Sequence, residues 1–349
     1  MVPVSGFRAH TTHVHDNNQD LSSVQEVSDS FPWRLDDFPA GVSSSVESIP
    51  VINLTDPDIV NRIGHACQTS GVFQITGHGV PVGLIDRLEL QGRRFFSLPI
   101  EQKLKAARRP GDLSGYGQAL NLSHFEKVMR SEGFTMADSP ANLVCQVWPD
   151  DYTEFCDVME QYKKEMKALA SKIIWLMLSS LGICKEDLEW SGPNGELDGS
   201  AVLHLNWYPR CPDPNQAIGL APHTDSPFIT ILYPSSTPGL QVLQDHRAQA
   251  HWLSVDRVPG SLVINVGDLL HILTNGRFRS PLHQALVNQD KPRFSAAFFF
   301  GPPKDTSIGP LIKLTDADKG PLYRAVKLAE YLGLKKKHYR DALDLLKLT

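Results

Sequence analysis

The chain has 349 residues, a net charge of −5, 41% hydrophobic and 21% charged residues. Neither the net charge nor any block of basic residues offers a face for nucleic acid or anionic lipid, so a small, weakly charged partner is expected. No run of roughly eighteen apolar residues occurs and the N-terminus lacks the basic start and apolar stretch of a signal peptide. The five cysteines are widely spaced without a C-x-x-C pair and read as free thiols. The expected compartment is the cytoplasm, with the nucleus also open to it.

Residues 1–46 are polar, contain His10, His13 and His15 without apolar periodicity, and read as a flexible N-terminal arm. The β-branched run SIPVINL and the run GVFQITGHGVP read as strands. Between them, DIVNRIGHACQTS carries Ile59, Ile63 and Ala66 at helical spacing. Helical periodicity returns in PVGLIDRLELQGRRFFSLPIEQKLKA and again in YTEFCDVMEQYKKEMKALASKIIWLMLSSLGI. There Phe155, Val158, Met159, Met166, Leu169, Ile173 and Leu176 form one apolar stripe that closes near Gly182. Residues 47–195 thus form an N-terminal helical region.

Beyond it the texture changes to short β-branched and aromatic runs separated by Pro, Gly, Asn and Asp: AVLHLNWYP, FITILY, GLQVLQ, HWLSV, SLVINV, HQALVN and RFSAAFFF. Many short strands with turn signals between them predict a sandwich or jelly roll over residues 196–303 rather than a parallel sheet. PLYRAVKLAEYLGLKKKHYRDALDLL then predicts a helical cap within residues 304–349. The chain reads as mainly β with flanking helices.

Two His and one carboxylate on one face of a metal leave positions open for co-substrate and oxygen, the arrangement of non-haem Fe(II) sites. A His-x-Asp pair can project both ligands to one side because strand side chains alternate with period two; His223 and Asp225 satisfy this. The triplet alone is uninformative, since a chain with 13 His and 39 acidic residues supplies such pairs by chance, and His124-Phe125-Glu126 is a second one, without a downstream clamp. Pro222 and Pro227 bracket the pair and cannot donate ladder hydrogen bonds, which predicts a strand end or bend there. A third ligand is expected from a later facing strand, and His283 opens the run HQALVN. Arg293 and Ser295 follow as the one Arg-x-Ser, a fork and a hydroxyl suited to a distal carboxylate. Period two puts Arg293, Ser295, Ala297 and Phe299 on one face, and His204, Asn206 and Tyr208 on another, with Leu205 and Trp207 opposite. His204 and Phe299 either line a substrate pocket or pack as ordinary core. Tyr116 in SGYG is a candidate to close over a substrate, and His78 and His271 read as structural.

The ordered set Asn206-x-Tyr208, His223-x-Asp225, His283, Arg293-x-Ser295 resembles the 2-oxoglutarate and Fe(II) dependent dioxygenase superfamily, and GVFQITGHGVP resembles the N-terminal signature of its plant soluble branch. The resemblance implies a distorted double-stranded β-helix (jelly roll) core, Fe(II) on His223, Asp225 and His283, and 2-oxoglutarate held by Arg293, Ser295 and Tyr208 with help from Asn206. It also implies ascorbate as reductant, O2 as co-substrate, and hydroxylation by hydrogen abstraction and rebound. A narrower resemblance, in FSLPIEQKLKAARRPGDLSGYG, SEGFT, LHLNWYPRCPDPNQAIGLAPHTDS and INVGDLLHILTNGRFRS, is to gibberellin 3-oxidases, implying a gibberellin substrate hydroxylated at C-3β. Arg130 stands where those enzymes usually have Trp, and Gln284 and Ala285 replace the usual Arg-Val pair; Arg130 is thereby a candidate to touch the substrate. A gibberellin 2-oxidase or 20-oxidase, and a non-catalytic jelly-roll protein binding a small ligand, are the alternatives.

Overall fold

A computed structural model describes residues 48–117, 129–192, 197–246, 249–316, 318 and 320–348. The N-terminal arm and the triplet His124-Phe125-Glu126 lie outside the described residues. Strands β1 (Val51–Asn53) and β2 (Val72–Thr76) flank helix α1 (Ile59–Thr69), and α2 (Val82–Phe96) and α3 (Ile100–Lys103) lead to the antiparallel pair β3 (Gly115–Gly117) and β4 (Glu132–Met136). A short α4 (Ala141–Val144) precedes the long α5 (Thr153–Ser179). Then follow β5 (Ser200–Tyr208), β6 (Ile218–His223), β7 (Ile229–Pro234), β8 (Leu240–His246), β9 (Gln249–Ser254) and β10 (Leu262–Val266). After α6 (Asp268–Leu273) come β11 (His283–Leu286), β12 (Arg293–Gly301), β13 (Ser307–Ile308), β14 (Val326–Lys327) and α7 (Leu328–His338). No helix among the described residues is long and apolar enough to cross a membrane.

The large sheet runs β1-β2-β10-β7-β12-β5-β4-β3 and the smaller one β6-β11-β8-β9. Their facing sides share one apolar cluster, in which Leu232, Val263 and Ala297 from the large sheet meet Leu240, Val242 and Leu253 from the small one. Two antiparallel sheets packed in this way form the jelly roll. The other side of the large sheet carries the main core, against which α1, α2 and α5 pack.

Strand β12 shows why its register is firm. Phe294, Phe298 and Phe300 are fully buried on the helix side, while Ala297 and Phe299 belong to the cluster between the sheets. Each buried phenyl contributes roughly 1.5–3 kcal/mol. A one-residue slip would turn all three rings into the polar interior and drive Arg293 into the helix-side core. The α5 stripe behaves as its spacing predicts: Phe155, Val158, Met159, Met166, Leu169 and Ile173 are buried, and Leu176 packs half-buried against the same core.

Three local readings change. Besides the two strands expected in residues 47–195, SGYG and SEGFT add the edge pair β3 and β4 to the large sheet. Strand β6 falls on IGLAPH, which lacks a β-branched run and is held by its ladder to β11. The C-terminal helix starts only at Leu328: Val326 pairs with Ile308 across β13 and β14, and the Tyr323 hydroxyl meets His271 Nε2 at 2.8 Å. These tertiary contacts override the helical periodicity of residues 321–327. His271 Nδ1 also bonds the Phe278 carbonyl, and His78 Nε2 the Gly260 carbonyl, so both histidines serve the fold.

Candidate active site

His223 is the last residue of β6 and lies in register with His283, the first of β11. Their ring centroids are 4.2 Å apart. Asp225 follows in the irregular segment just beyond the strand, and its Oδ1 lies 3.8 Å from His223 Nε2 and 3.7 Å from His283 Nε2. The three ligand atoms fall within 4.8 Å of one another, and among the described residues no other cluster of His, Cys, Asp or Glu does so.

The backbone selects the tautomers. His223 Nδ1 donates to the Ala221 carbonyl at 2.8 Å and His283 Nδ1 to the Pro281 carbonyl at 3.1 Å. A carbonyl only accepts, so each ring carries its proton on Nδ1 and presents the Nε2 lone pair. Burial, reinforced by the neighbouring His283, brings the His223 imidazole down to about 4, which keeps it neutral and ligating at neutral pH. Burial pushes the Asp225 carboxyl upward, but the two imidazoles and the donors Thr230 and Asn265 more than offset that and hold it below the usual carboxylate range. Thr230 Oγ1 and Asn265 Nδ2 both occupy Oδ2, at 2.7 and 3.3 Å, leaving Oδ1 to face the histidines. Two imidazoles and a carboxylate, with no described lysine or arginine paired to that carboxylate, fit a divalent iron. Thr230→Val is expected to weaken Mn(II) binding about tenfold, the cost of losing an outer partner of a metal ligand. A Mn(II) titration followed by electron paramagnetic resonance checks this, and unchanged affinity would contradict it.

Strands β12 and β5 together build a polar stripe. Arg293 lies opposite Tyr208, Ser295 opposite Asn206, and Ala297 opposite His204, all on the side away from the helices. Arg293 is 2% exposed, and its Nη1 reaches Ser295 Oγ at 3.4 Å. Its Cζ stands 5.0 Å from the Tyr208 ring centroid, and the Tyr208 hydroxyl is within bonding reach of Ser295 and Arg293. Burial raises the Tyr208 phenol, so it stays protonated and able to donate. No described acidic residue contributes to the Arg293 environment, and its Nε is buried without an acceptor. A buried guanidinium in this condition is costly until an anion pairs with it, and the fork with its two neighbouring hydroxyls fits a carboxylate.

Of the remaining candidates, Asn206 and Phe299 are half-buried on the same stripe, Phe299 against the cluster between the sheets. His204 Nδ1 meets Thr135 Oγ1 at 2.8 Å, and Thr135 Oγ1 accepts from Arg108 Nη2 at 3.0 Å. Burial, then the Arg108 charge, lowers His204 to about 4, so it too is neutral. Gly133 lies opposite Asn206, and a Cβ there would come 2.6 Å from His204 Cε1, so glycine gives that ring its room. Tyr116 is corrected: its register with Phe134 turns it to the helix side, where it packs against Phe95 and donates to Glu132 Oε2 at 2.7 Å. Arg130 is buried just before β4, with its Nε donating to the Arg210 carbonyl at 3.1 Å and its backbone N–H to Ile218. These bonds tie Arg130 to the ends of β5 and β6; none of them reaches the triad. The sequence reading missed Thr230, Asn265, Thr135 and Arg108. Asn265 carried a signal, a lone amide in the apolar run SLVINV; the others carried none.

A jelly roll with a His pair and a carboxylate at one strand end, and a buried arginine without a described acidic partner on the facing sheet, defines a mononuclear non-haem iron oxygenase of the 2-oxoglutarate type. The 2OG-Fe(II) oxygenase superfamily profile matches residues 199–302, and the profile described as the N-terminal part of non-haem dioxygenase in morphine synthesis matches residues 49–151. Gibberellin 3-beta-dioxygenase 1 of Arabidopsis thaliana is 47% identical over 348 residues, covering 98% of this chain and 96% of the relative. Gibberellin 3-beta-dioxygenase 1 of Pisum sativum is 46% identical, covering 98% and 92%. Among solved structures, JOX2 in complex with 2OG, Fe and JA superimposes with a TM-score of 0.81 at 29% identity, over 94% of this chain and 96% of that one. The rice dioxygenase for auxin oxidation gives 0.70 at 28% identity, over 86% and 100%. The chain belongs to the 2OG-Fe(II) oxygenase superfamily and, within it, to the gibberellin 3-beta-dioxygenases.

Proposed function

We propose that the protein hydroxylates a gibberellin at C-3β, consuming 2-oxoglutarate and O2 with Fe(II) as cofactor and ascorbate as reductant. The observation that carries this reading is that the near-full-length likeness to gibberellin 3-beta-dioxygenases comes with an intact His223, Asp225, His283 triad and a buried, unpaired Arg293. His223, Asp225 and His283 would hold the iron, and Arg293, Ser295 and Tyr208 the distal carboxylate of 2-oxoglutarate. When bound, iron and 2-oxoglutarate together supply the oxygen activation that hydroxylating an unactivated C–H bond requires.

The chain's own residues do the rest. The Ala221 and Pro281 carbonyls keep both imidazoles in the ligating tautomer, and Thr230 and Asn265 aim the carboxylate. Arg293 and Tyr208 fix the co-substrate at the far end of the stripe, which sets where its reacting end falls. Neutral His204, half-buried Asn206 and the Phe299 ring share the face of this stripe, where they would orient a substrate carbon and exclude water.

Incubation of the purified protein with labelled gibberellins, Fe(II), 2-oxoglutarate and ascorbate, with products identified by mass spectrometry, tests the proposal. A 3β-hydroxylated product with matching succinate is expected. Hydroxylation at C-2 alone, or stepwise oxidation of C-20, would move the protein to a 2-oxidase or 20-oxidase role. No substrate-dependent succinate would favour a non-catalytic ligand-binding protein.

A further inference from the structure

The segment that carries two of the three metal-site residues is held from behind by the C-terminal helix. Thr224, between His223 and Asp225, donates to Asp268 Oδ2 at 2.9 Å. Lys335 of α7 donates to both Thr224 Oγ1 and Asp268 Oδ2, and Tyr331, one turn earlier, donates to the same carboxylate oxygen at 2.7 Å. Just past α7, the Tyr339 hydroxyl donates to the Pro222 carbonyl at 2.6 Å. The loop's far side is tied through the backbone: the Asp268 N–H donates to the Asp225 carbonyl at 2.7 Å. Gly267 permits that approach, since a Cβ there would lie 2.1 Å from the Pro227 carbonyl oxygen.

Two features set this cluster apart from ordinary packing. Asp268 and Tyr331 are 0% exposed and Lys335 only 8%, so an ion pair is buried where apolar side chains of similar volume would be as stable or more so. Asp268 Oδ1 is moreover buried without a partner, a further cost. Tyr339 adopts φ +49° and ψ −110°, a backbone conformation that a bulky residue rarely takes and keeps only when its surroundings impose it. Cost and strain both converge on the segment from Pro222 to Asp225.

We propose that α7 and Tyr339 clamp this segment in its ligating geometry, so that Lys335, Tyr331, Asp268 and Tyr339 are positioning residues for the metal. The proposal rests on the triad being the metal site. The double variant K335M/D268N removes both charges and so strands neither, and Y339F removes a single hydroxyl. Mn(II) affinity of the metal-free protein, read by electron paramagnetic resonance, is expected to fall about tenfold in the double variant, the low end of the range seen when outer partners of a metal site are lost, and by a smaller factor in Y339F. The Kd for 2-oxoglutarate at saturating Mn(II) should stay within twofold of wild type, because the Arg293 site lies on the other sheet.

Wild-type Mn(II) affinity in both variants would overturn the clamp. So would a loss of 2-oxoglutarate affinity as large as the loss of metal affinity, which would mean general loosening. The H283A variant separates the two readings: if it binds Mn(II) as well as wild type, the triad assignment itself fails, whatever the clamp variants do.

Discussion

Arg293→Met is expected to weaken 2-oxoglutarate binding at least about thirtyfold while leaving the melting temperature of the ligand-free protein unchanged or higher. The two effects have one cause. The guanidinium is buried, touches Ser295 and Tyr208, and has no acidic partner among the described residues to offset its lost hydration. Removing one partner of a buried, hydrogen-bonded charge pair costs about 2–5 kcal/mol of binding, roughly a thirtyfold to several-thousandfold loss of affinity. In the ligand-free protein the same side chain is an uncompensated charge, so an unbranched apolar replacement of similar length removes a penalty. Calorimetric titration of 2-oxoglutarate in the presence of Mn(II), with thermal melts of both proteins, checks both halves. Binding within threefold of wild type would sink the clamp assignment; a large fall in melting temperature would show Arg293 to be a structural residue.

Asp225→Asn should lower Mn(II) affinity by more than about a hundredfold, beyond what losing an outer partner costs, and turnover should fall with it. The amide is nearly isosteric but neutral, and two imidazoles then face the cation without a charged ligand. The hydrogen bonds sharpen the expectation. Thr230 and Asn265 both donate to Oδ2. The amide oxygen must therefore take that position, which turns the NH2 group toward the two histidine Nε2 atoms, where it cannot ligate. Metal affinity within tenfold of wild type would contradict the assignment of Asp225.

How far the site could be read in advance depended on the length scale of each residue's partners. Arg293, Ser295, Asn206 and Tyr208 were legible because period two on a single strand already puts them on one face, and the β12–β5 register merely aligned the two strands. The strand end at His223 and Asp225 was legible because the neighbouring prolines cannot donate ladder hydrogen bonds, and β6 does stop at His223. Tyr116 was misread for the same kind of reason: SGYG carries no alternation to say which face the ring takes, and only the pairing of Tyr116 with Phe134 turns it toward Phe95 and Glu132. Residues 321–327 kept a helical pattern that the pairing of Val326 with Ile308 overrode.

The sequence by itself determined the strand faces, the α5 stripe and the order of the candidate ligating and anion-binding side chains, because alternation, helical periodicity and proline are properties of neighbouring residues. Only the tertiary structure decided which imidazole nitrogen is free, since that depends on the carbonyls of Ala221 and Pro281. It alone also decided that Thr230 and Asn265 share one oxygen of Asp225, and that Lys335, distant in the chain, stands behind Thr224. Each of these is a contact between separate elements, and its energy exists only once the two sheets and the C-terminal helix have closed around the loop.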